Sequence, residues 1–225
     1  MKQITPRREG DPPVDLTVGL VEHRAIRADL LRLVNLLGDP TAGEMPGRRA
    51  QAVRTYIDRL IFATIRHHSI EDNGLWPLLE ASSKEAGEPM DLDSFTEDHV
   101  ELDALLERTG EAAARFAADP GSGAGELASV VTKLRDLLER HLTREEEIVF
   151  PGITRYVSNQ DYQRFELDAR KQFSPRDLTF LGPWLARYAT AEERDRVLAP
   201  NLFYKIVLSL GGRGYRALER RVFQG

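Results

Sequence analysis

Four of the five histidines in this chain, His23, His67, His99 and His141, fall in four separate stretches of helical hydrophobic periodicity. Two of them are followed four residues later by a glutamate, Glu71 after His67 and Glu145 after His141. Residues four apart share a helix face, about 6 Å apart along the axis, so each pair presents an imidazole and a carboxylate together. A glutamate turned inward is rare unless it is paired or coordinating, because taking its charge out of water is costly. Imidazole nitrogens and carboxylate oxygens converging in an apolar interior suit iron, manganese or zinc. The chain has no cysteine, which excludes disulfides, thiolate zinc sites and cysteine-held iron–sulfur clusters. Any metal must therefore sit on histidine and carboxylate.

The two pairs belong to a repeat. His67, Glu71, Trp76 and Pro77 share their spacing with His141, Glu145, Phe150 and Pro151, offset by 74 residues, and both segments read H-x3-E-x4-[W/F]-P. His23 and His99 are offset by 76, and each follows an acidic residue, Glu22 and Asp98. The pattern predicts two helical hairpins related by a pseudo-twofold, each contributing one lone histidine and one His-Glu pair.

Four elements must carry these side chains. Leu16, Leu20, Ile26, Leu30, Leu33 and Leu37 recur at three- and four-residue steps and predict a helix over 14–37, closed by Gly38-Asp39-Pro40. A second helix starts after Gly47, runs through Val53, Ile57, Leu60 and Thr64, and is punctuated by Gly74 and Pro77. A third starts near 91–94 and carries Phe95, Leu102, Leu106 and Phe116 up to the breaker run Asp119-Pro120-Gly121-Ser122-Gly123. A fourth runs from about Glu126 through Leu127, Val131, Leu134 and Leu138 to Pro151-Gly152. No segment alternates with period two, so the fold class is all-α: an antiparallel up-down four-helix bundle over 14–155 with a helical C-terminal extension. Counted from the turns, the histidine levels differ by a few residues, roughly 5 to 8 Å at the helical rise, so the four imidazoles can meet at one level.

The rest of the 225 residues divides near residue 155. Residues 1–155 carry 19 basic against 28 acidic side chains, while residues 156–225 carry 12 against 8 and 11 of the 17 aromatics. That aromatic content needs something to bury against, so 156–225 is expected to pack on the bundle as short helices. Ser174-Pro175 and Thr190 with Glu193 are their expected starts, and Pro183, Pro200 and Gly211-Gly212 their separators. Residues 1–13 are charged and proline-rich and are expected to be flexible. They resemble neither a secretory signal nor a membrane anchor, which leads to the expectation of a cytoplasmic protein with no membrane partner. Arg213, Arg216, Arg220 and Arg221 read as a solvated helix face, so no nucleic acid is expected as a partner. The chain contains no H-E-x-x-H or G-x-S-x-G hydrolase motif.

The set EH at 22–23, HHSIE at 67–71, DH at 98–99 and HLTREE at 141–146 resembles the hemerythrin-like, or HHE cation-binding, family over residues 14–155. The resemblance implies a non-haem centre of two iron ions bridged by an oxo or hydroxo group. His23 and His67 would bind one iron, His99 and His141 the other, and Glu71 and Glu145 would bridge both. It further implies a position for a small oxidant, whether oxygen, peroxide or nitric oxide. The activity would be that of a catalase-like or nitric-oxide-directed oxidoreductase, or sensing or storage without turnover, with an electron donor that the sequence does not name. Two departures stand out. Where oxygen carriers of this family have a second histidine four residues after the third-helix histidine, this chain has Asp103, and after His141 both Glu145 and Glu146 are glutamates. Four facing imidazoles are then expected, and a carboxylate-richer centre than that of an oxygen carrier. His68, Asp103 and Glu146 are further candidate ligands. By spacing His68 reads as a boundary or outer ring, and Asp103 as a salt-bridged or solvated side chain.

Overall fold

A computed structural model describes residues 4–197 and 202–224, and the described chain is all-α with no strand. Six helices build the bundle: α1 (Thr17–Leu37), α2 (Gly47–Ile70), α3 (Trp76–Glu85), α4 (Asp93–Ala118), α5 (Pro120–Arg144) and α6 (Phe150–Tyr156). α1 packs on α5, α5 on α4 and α4 on α2. The stripes follow the apolar periodicity with one shift: Leu20 is 41% exposed, and Val21 and Ala25 take the interior positions of α1. Most apolar burial falls into two clusters, beside a small contact of Val21 with Ala189. The larger includes Leu30, Leu33, Ile57, Leu60, Leu106, Phe116, Leu134 and Leu138; the smaller joins Val14, Leu75, Trp76, Leu79, Phe95, Val149, Phe150 and Ile153. A layer of buried histidine and glutamate separates them.

Several sequence breakers do not break helices here. Gly74 and Pro77 do not end the second helix, because one turn of π-helix, Glu71–Leu75, carries α2 into α3. A matching π-turn, Glu145–Val149, carries α5 into α6 past Pro151. In an uninterrupted α-helix each proline would clash with the carbonyl four residues back and leave it without a donor. The wide turn shifts the ladder instead: Trp76 N–H donates to the Glu71 carbonyl and Phe150 N–H to the Glu145 carbonyl, five residues back. The Asp119–Gly123 run is likewise the start of α5 and not a linker, for Asp119 is its N-cap and accepts from Gly121 N–H, with Pro120 in the first turn.

The extension contains α7 (Asn159–Arg170), α8 (Pro175–Tyr188), α9 (Ala191–Val197) and α10 (Leu202–Phe223). Ser174 and Asp177 form a capping box on α8, and Thr190 and Glu193 exchange backbone-to-side-chain bonds of 2.8 and 3.2 Å ahead of α9. Pro200 lies outside the described residues. Pro183 sits inside α8, and α10 runs straight through Gly211-Gly212, so neither separates helices. The two features fit each other. Pro183 has no N–H for the Thr179 carbonyl, and α10 closes on that carbonyl at Gly211, where a Cβ would lie 2.3 Å from Thr179 O. Gly211→Ala is expected to push α10 off α8 and to cost about 1–3 kcal/mol as overpacking, read as a lower denaturation midpoint.

α8 rests on α1, and α10 on α2 and α8. Phe180, Trp184, Tyr215 and Val222 of the extension belong to the larger apolar cluster of the bundle. A buried polar knot joins the two parts. Asp29 of α1, with no exposed surface, accepts from Tyr56 Oη at 2.7 Å, Trp184 Nε1 at 2.7 Å, Arg32 at 3.0 Å and Tyr188 Oη. Arg32 also reaches Glu219 of α10 at 2.7 Å and lies over the Phe223 ring. At the other end, Thr5 N–H donates to Asp161 of α7 at 2.7 Å. Among the described residues no helix is long and apolar enough to cross a membrane.

Candidate metal centre

α1 supplies His23, α2 supplies His67 and His68, α4 supplies His99, and α5 supplies His141; Glu71 and Glu145 stand at the first residues of the two π-turns. All seven side chains are buried, none more than 7% exposed. The imidazoles turn their Nε2 atoms toward the two carboxylates. His67 Nε2 lies 3.3 Å from Glu71 Oε1, and His99 Nε2 lies 3.6 Å from Glu71 Oε2. His23 Nε2 lies 3.3 Å from Glu145 Oε2, and His141 Nε2 lies 3.0 Å from Glu145 Oε1. Each glutamate thus offers one oxygen to His23 or His67 and the other to His99 or His141. Donor atoms of His23, His67, Glu71 and Glu145 lie within 4.8 Å of one another, as do those of Glu71, His99, His141 and Glu145.

The sequence expectation of four facing imidazoles is corrected by His68. Its ring stacks on His99 at 4.3 Å and meets His141 edge-on at 5.6 Å, and His68, His99 and His141 form a third donor group. Five rings therefore face the interior. His68 stands 100° round the helix from His67, and α2 is placed so that both positions look inward. Asp103, four residues after His99, touches His68 Nδ1 at 3.2 Å.

A carboxylate stands behind every ring. Glu146 meets His23 Nδ1 at 2.9 Å, Asp72 meets His99 Nδ1 at 2.8 Å and Asp103 meets that of His68. Glu22 faces His67 Nδ1 at 3.6 Å and Asp98 faces His141 Nδ1 at 3.5 Å. The bonded carboxylates fix the orientation of His23, His68 and His99, whereas His141 Nδ1 is buried without a hydrogen-bond partner. Arg27 holds Glu146 at 2.5 Å, and Arg144 bonds Asp98. The structure thus places Asp103 and Glu146 outside the donor cluster. Asp72 escaped the sequence reading, although the repeat pointed to it as the counterpart of Glu146, 74 residues earlier. Trp76, Phe95 and Phe150 wall the smaller apolar end, stacked on or angled against His99, His141 and His23.

The electrostatics follow from this crowding. Burial alone would push Glu145 up, but the rings of His141 and His99 hold it well below the usual carboxylate range. Burial and the neighbouring Glu145 charge push Glu71 well above that range. Burial opposes a charge on His67, yet Glu71 and Glu22 raise it to about 10, while burial drives His68 down to about 3. Two carboxylates forced apart in this way share an enclosure that protons alone satisfy poorly. The Nε2 atoms of His23, His67 and His68, with Glu71 Oε2 and both Glu145 carboxylate oxygens, are buried without a hydrogen-bond partner. Unsatisfied polar atoms in such number, converging on a common centre, fit a bound cation.

An all-α bundle with a His/Glu cluster of this kind defines a metal-binding helical-bundle protein. A family model described as the hemerythrin HHE cation-binding domain matches residues 20–153 and 90–172, and the chain belongs to that family. Comparison with curated proteins and with solved structures returns no match.

Proposed function

We propose that the chain is a non-haem di-iron protein that binds a small oxidant, such as peroxide, nitric oxide or oxygen, and reduces or senses it. The observation that carries this reading is the split of Glu71 and Glu145, each directing one oxygen toward His23 and His67 and the other toward His99 and His141. His23 and His67 would hold one ion, His99 and His141 the other with His68 beside them, and both glutamates would be shared. Imidazole and carboxylate donors suit several metals; membership of the family favours iron. Bound there, iron supplies one-electron redox steps and a binding position for the oxidant. The protein orients the rings of His23, His68 and His99 through Glu146, Asp103 and Asp72, and keeps bulk water out with the two apolar clusters.

Metal analysis and an absorption spectrum of freshly purified protein test this directly. Two irons per chain and a visible spectrum altered by a peroxide challenge are expected, and protein that stays colourless and iron-free when iron is supplied would refute the reading. Many turnovers per chain would mark a catalase-like or nitric-oxide-directed oxidoreductase. A single stoichiometric reaction would mark a sensor or store, a reading supported by Asp29, which ties the helix of His23 to the extension.

Proton release gives an independent check. Glu71 and Glu22 favour the protonated form of His67 in the absence of metal, and a coordinating imidazole must be neutral. Zinc uptake at pH 7 is therefore expected to release at least one proton, and affinity to fall as pH is lowered, by about tenfold per unit for each proton displaced. Calorimetry in buffers of different ionisation enthalpy counts the protons.

A further inference from the structure

The two sequence repeats differ at a buried position beside the histidines. His68 and Leu142 occupy the same place in the two repeats, offset by 74 residues, and both are buried, at 1% and 0% exposure. The difference is chemically one-sided. The His68 ring lies 4.3 Å from that of His99 and 5.6 Å from that of His141. Its Nδ1 is occupied by Asp103 and its Nε2 is buried with no hydrogen-bond partner. Among the described residues, the donors that group with His23 and His67 are only Glu71 and Glu145. His99 and His141 thus have a third imidazole beside them, while His23 and His67 have none; Glu71 and Glu145 group with each pair, and His68 groups with His99 and His141 alone.

We propose that the two positions load in order. The position formed by His68, His99 and His141 takes its ion first and holds it tightly, and the position formed by His23 and His67 takes its ion second and exchanges it. This rests on the metal-binding reading above. An extra neutral imidazole adds a donor without adding charge, and it favours borderline cations such as iron(II) or zinc over magnesium or calcium, which prefer oxygen. Once the first cation is bound, the shared glutamates are partly neutralised and a like charge stands a few ångströms away, which weakens the second position further. Residue 68 against residue 142 then sets which position is anchored and which is exchangeable, and occupancy of the exchangeable one follows the free-metal level.

The test is a zinc titration of the chelator-stripped full chain, followed by calorimetry and by the NMR shifts of the imidazole nitrogens. Two steps at least tenfold apart in affinity are expected, with the His68, His99 and His141 signals moving in the first equivalent and those of His23 and His67 in the second. His68→Leu makes the repeats alike at this position and is expected to weaken the first step by more than about 100-fold, beyond what loss of an outer partner costs. The rings of both halves should then move together. Asp103→Asn, which leaves the His68 ring in place, is expected to weaken the first step by about 10–100-fold and to leave the second unchanged, a pattern that mere packing of His68 would not produce. The proposal is overturned if all five rings of the wild-type protein move together in one two-ion step. It is also overturned if folded His68→Leu keeps the wild-type first step. No zinc or iron uptake at all would remove the metal-binding reading itself, whereas simultaneous uptake of two ions would remove only the order.

Discussion

Glu145→Gln is expected to leave the bundle folded and to abolish loading of both metal positions. The Glu145 carboxylate has no exposed surface and faces His23 with one oxygen and His141 with the other. Glutamine keeps the shape but removes the charge and turns an N–H group toward one of those rings. Two cations would then share Glu71 alone. Loss of a directly coordinating group is expected to cost more than the roughly 10–100-fold in affinity that an outer partner contributes. Stability should fall without metal as well, because the rings of His141 and His99 favour the ionised Glu145 carboxylate in the folded protein and the substitution removes that partner. The stripped variant is therefore expected to melt below the stripped wild type. With metal present at about 100 times Kd, the wild type alone gains roughly 2.7 kcal/mol from binding. Metal analysis beside paired thermal melts measures both effects, and full two-ion loading of the variant would contradict the shared role of Glu145. His141→Ala should likewise lose iron without unfolding.

Asp29→Ala is expected to be the most destabilising single change outside the metal cluster, at about 3–5 kcal/mol. Four donors converge on this carboxylate: Tyr56 from α2, Trp184 and Tyr188 from α8, and Arg32 from its own helix. Truncation takes the acceptor from Trp184 Nε1, leaves Tyr56 only the Tyr215 hydroxyl and Tyr188 only Arg32, and leaves the Arg32 charge only Glu219. The extension should loosen first, since α8 contributes two of the four donors. Limited proteolysis within α8 together with the denaturation midpoint would show this. Metal loading should persist, because every donor of the cluster lies on α1, α2, α4, α5 or a π-turn. Asp29→Asn, which retains an acceptor, should fall between the two. A variant as stable and protease-resistant as the wild type would show that the knot does not fasten the extension.

The four bundle helices and the interior direction of His23, His67, Glu71, His99, His141 and Glu145 were legible in the sequence, because each rests on a local period. Residues three, four and seven apart share a face whatever the helix packs against. Proline and glycine misled where neighbours decide their meaning. Pro77 and Pro151 lie inside continuous helical segments because a π-turn precedes each, and Gly211 marks a crossing of α10 over α8 instead of a break. Leu20 was assigned inward, but Val21 and Ala25 are the buried positions there, Val21 against Ala189 and Leu185 of the extension.

His68 shows most clearly where local reasoning ends. Whether the interior covers one of two adjacent helical positions or both depends on how wide an angle the neighbouring helices enclose, and that is a property of packing. The amino-acid order by itself determined that imidazoles and glutamates recur on apolar faces in two copies, since helical geometry ties spacing to direction. Only the tertiary arrangement decided that a fifth ring joins them, that Asp72, Asp103 and Glu146 stand behind rings carried by other helices, and that Asp29 fastens the extension. Those contacts join residues far apart in the chain, and no periodicity within one helix encodes the rotation of the next.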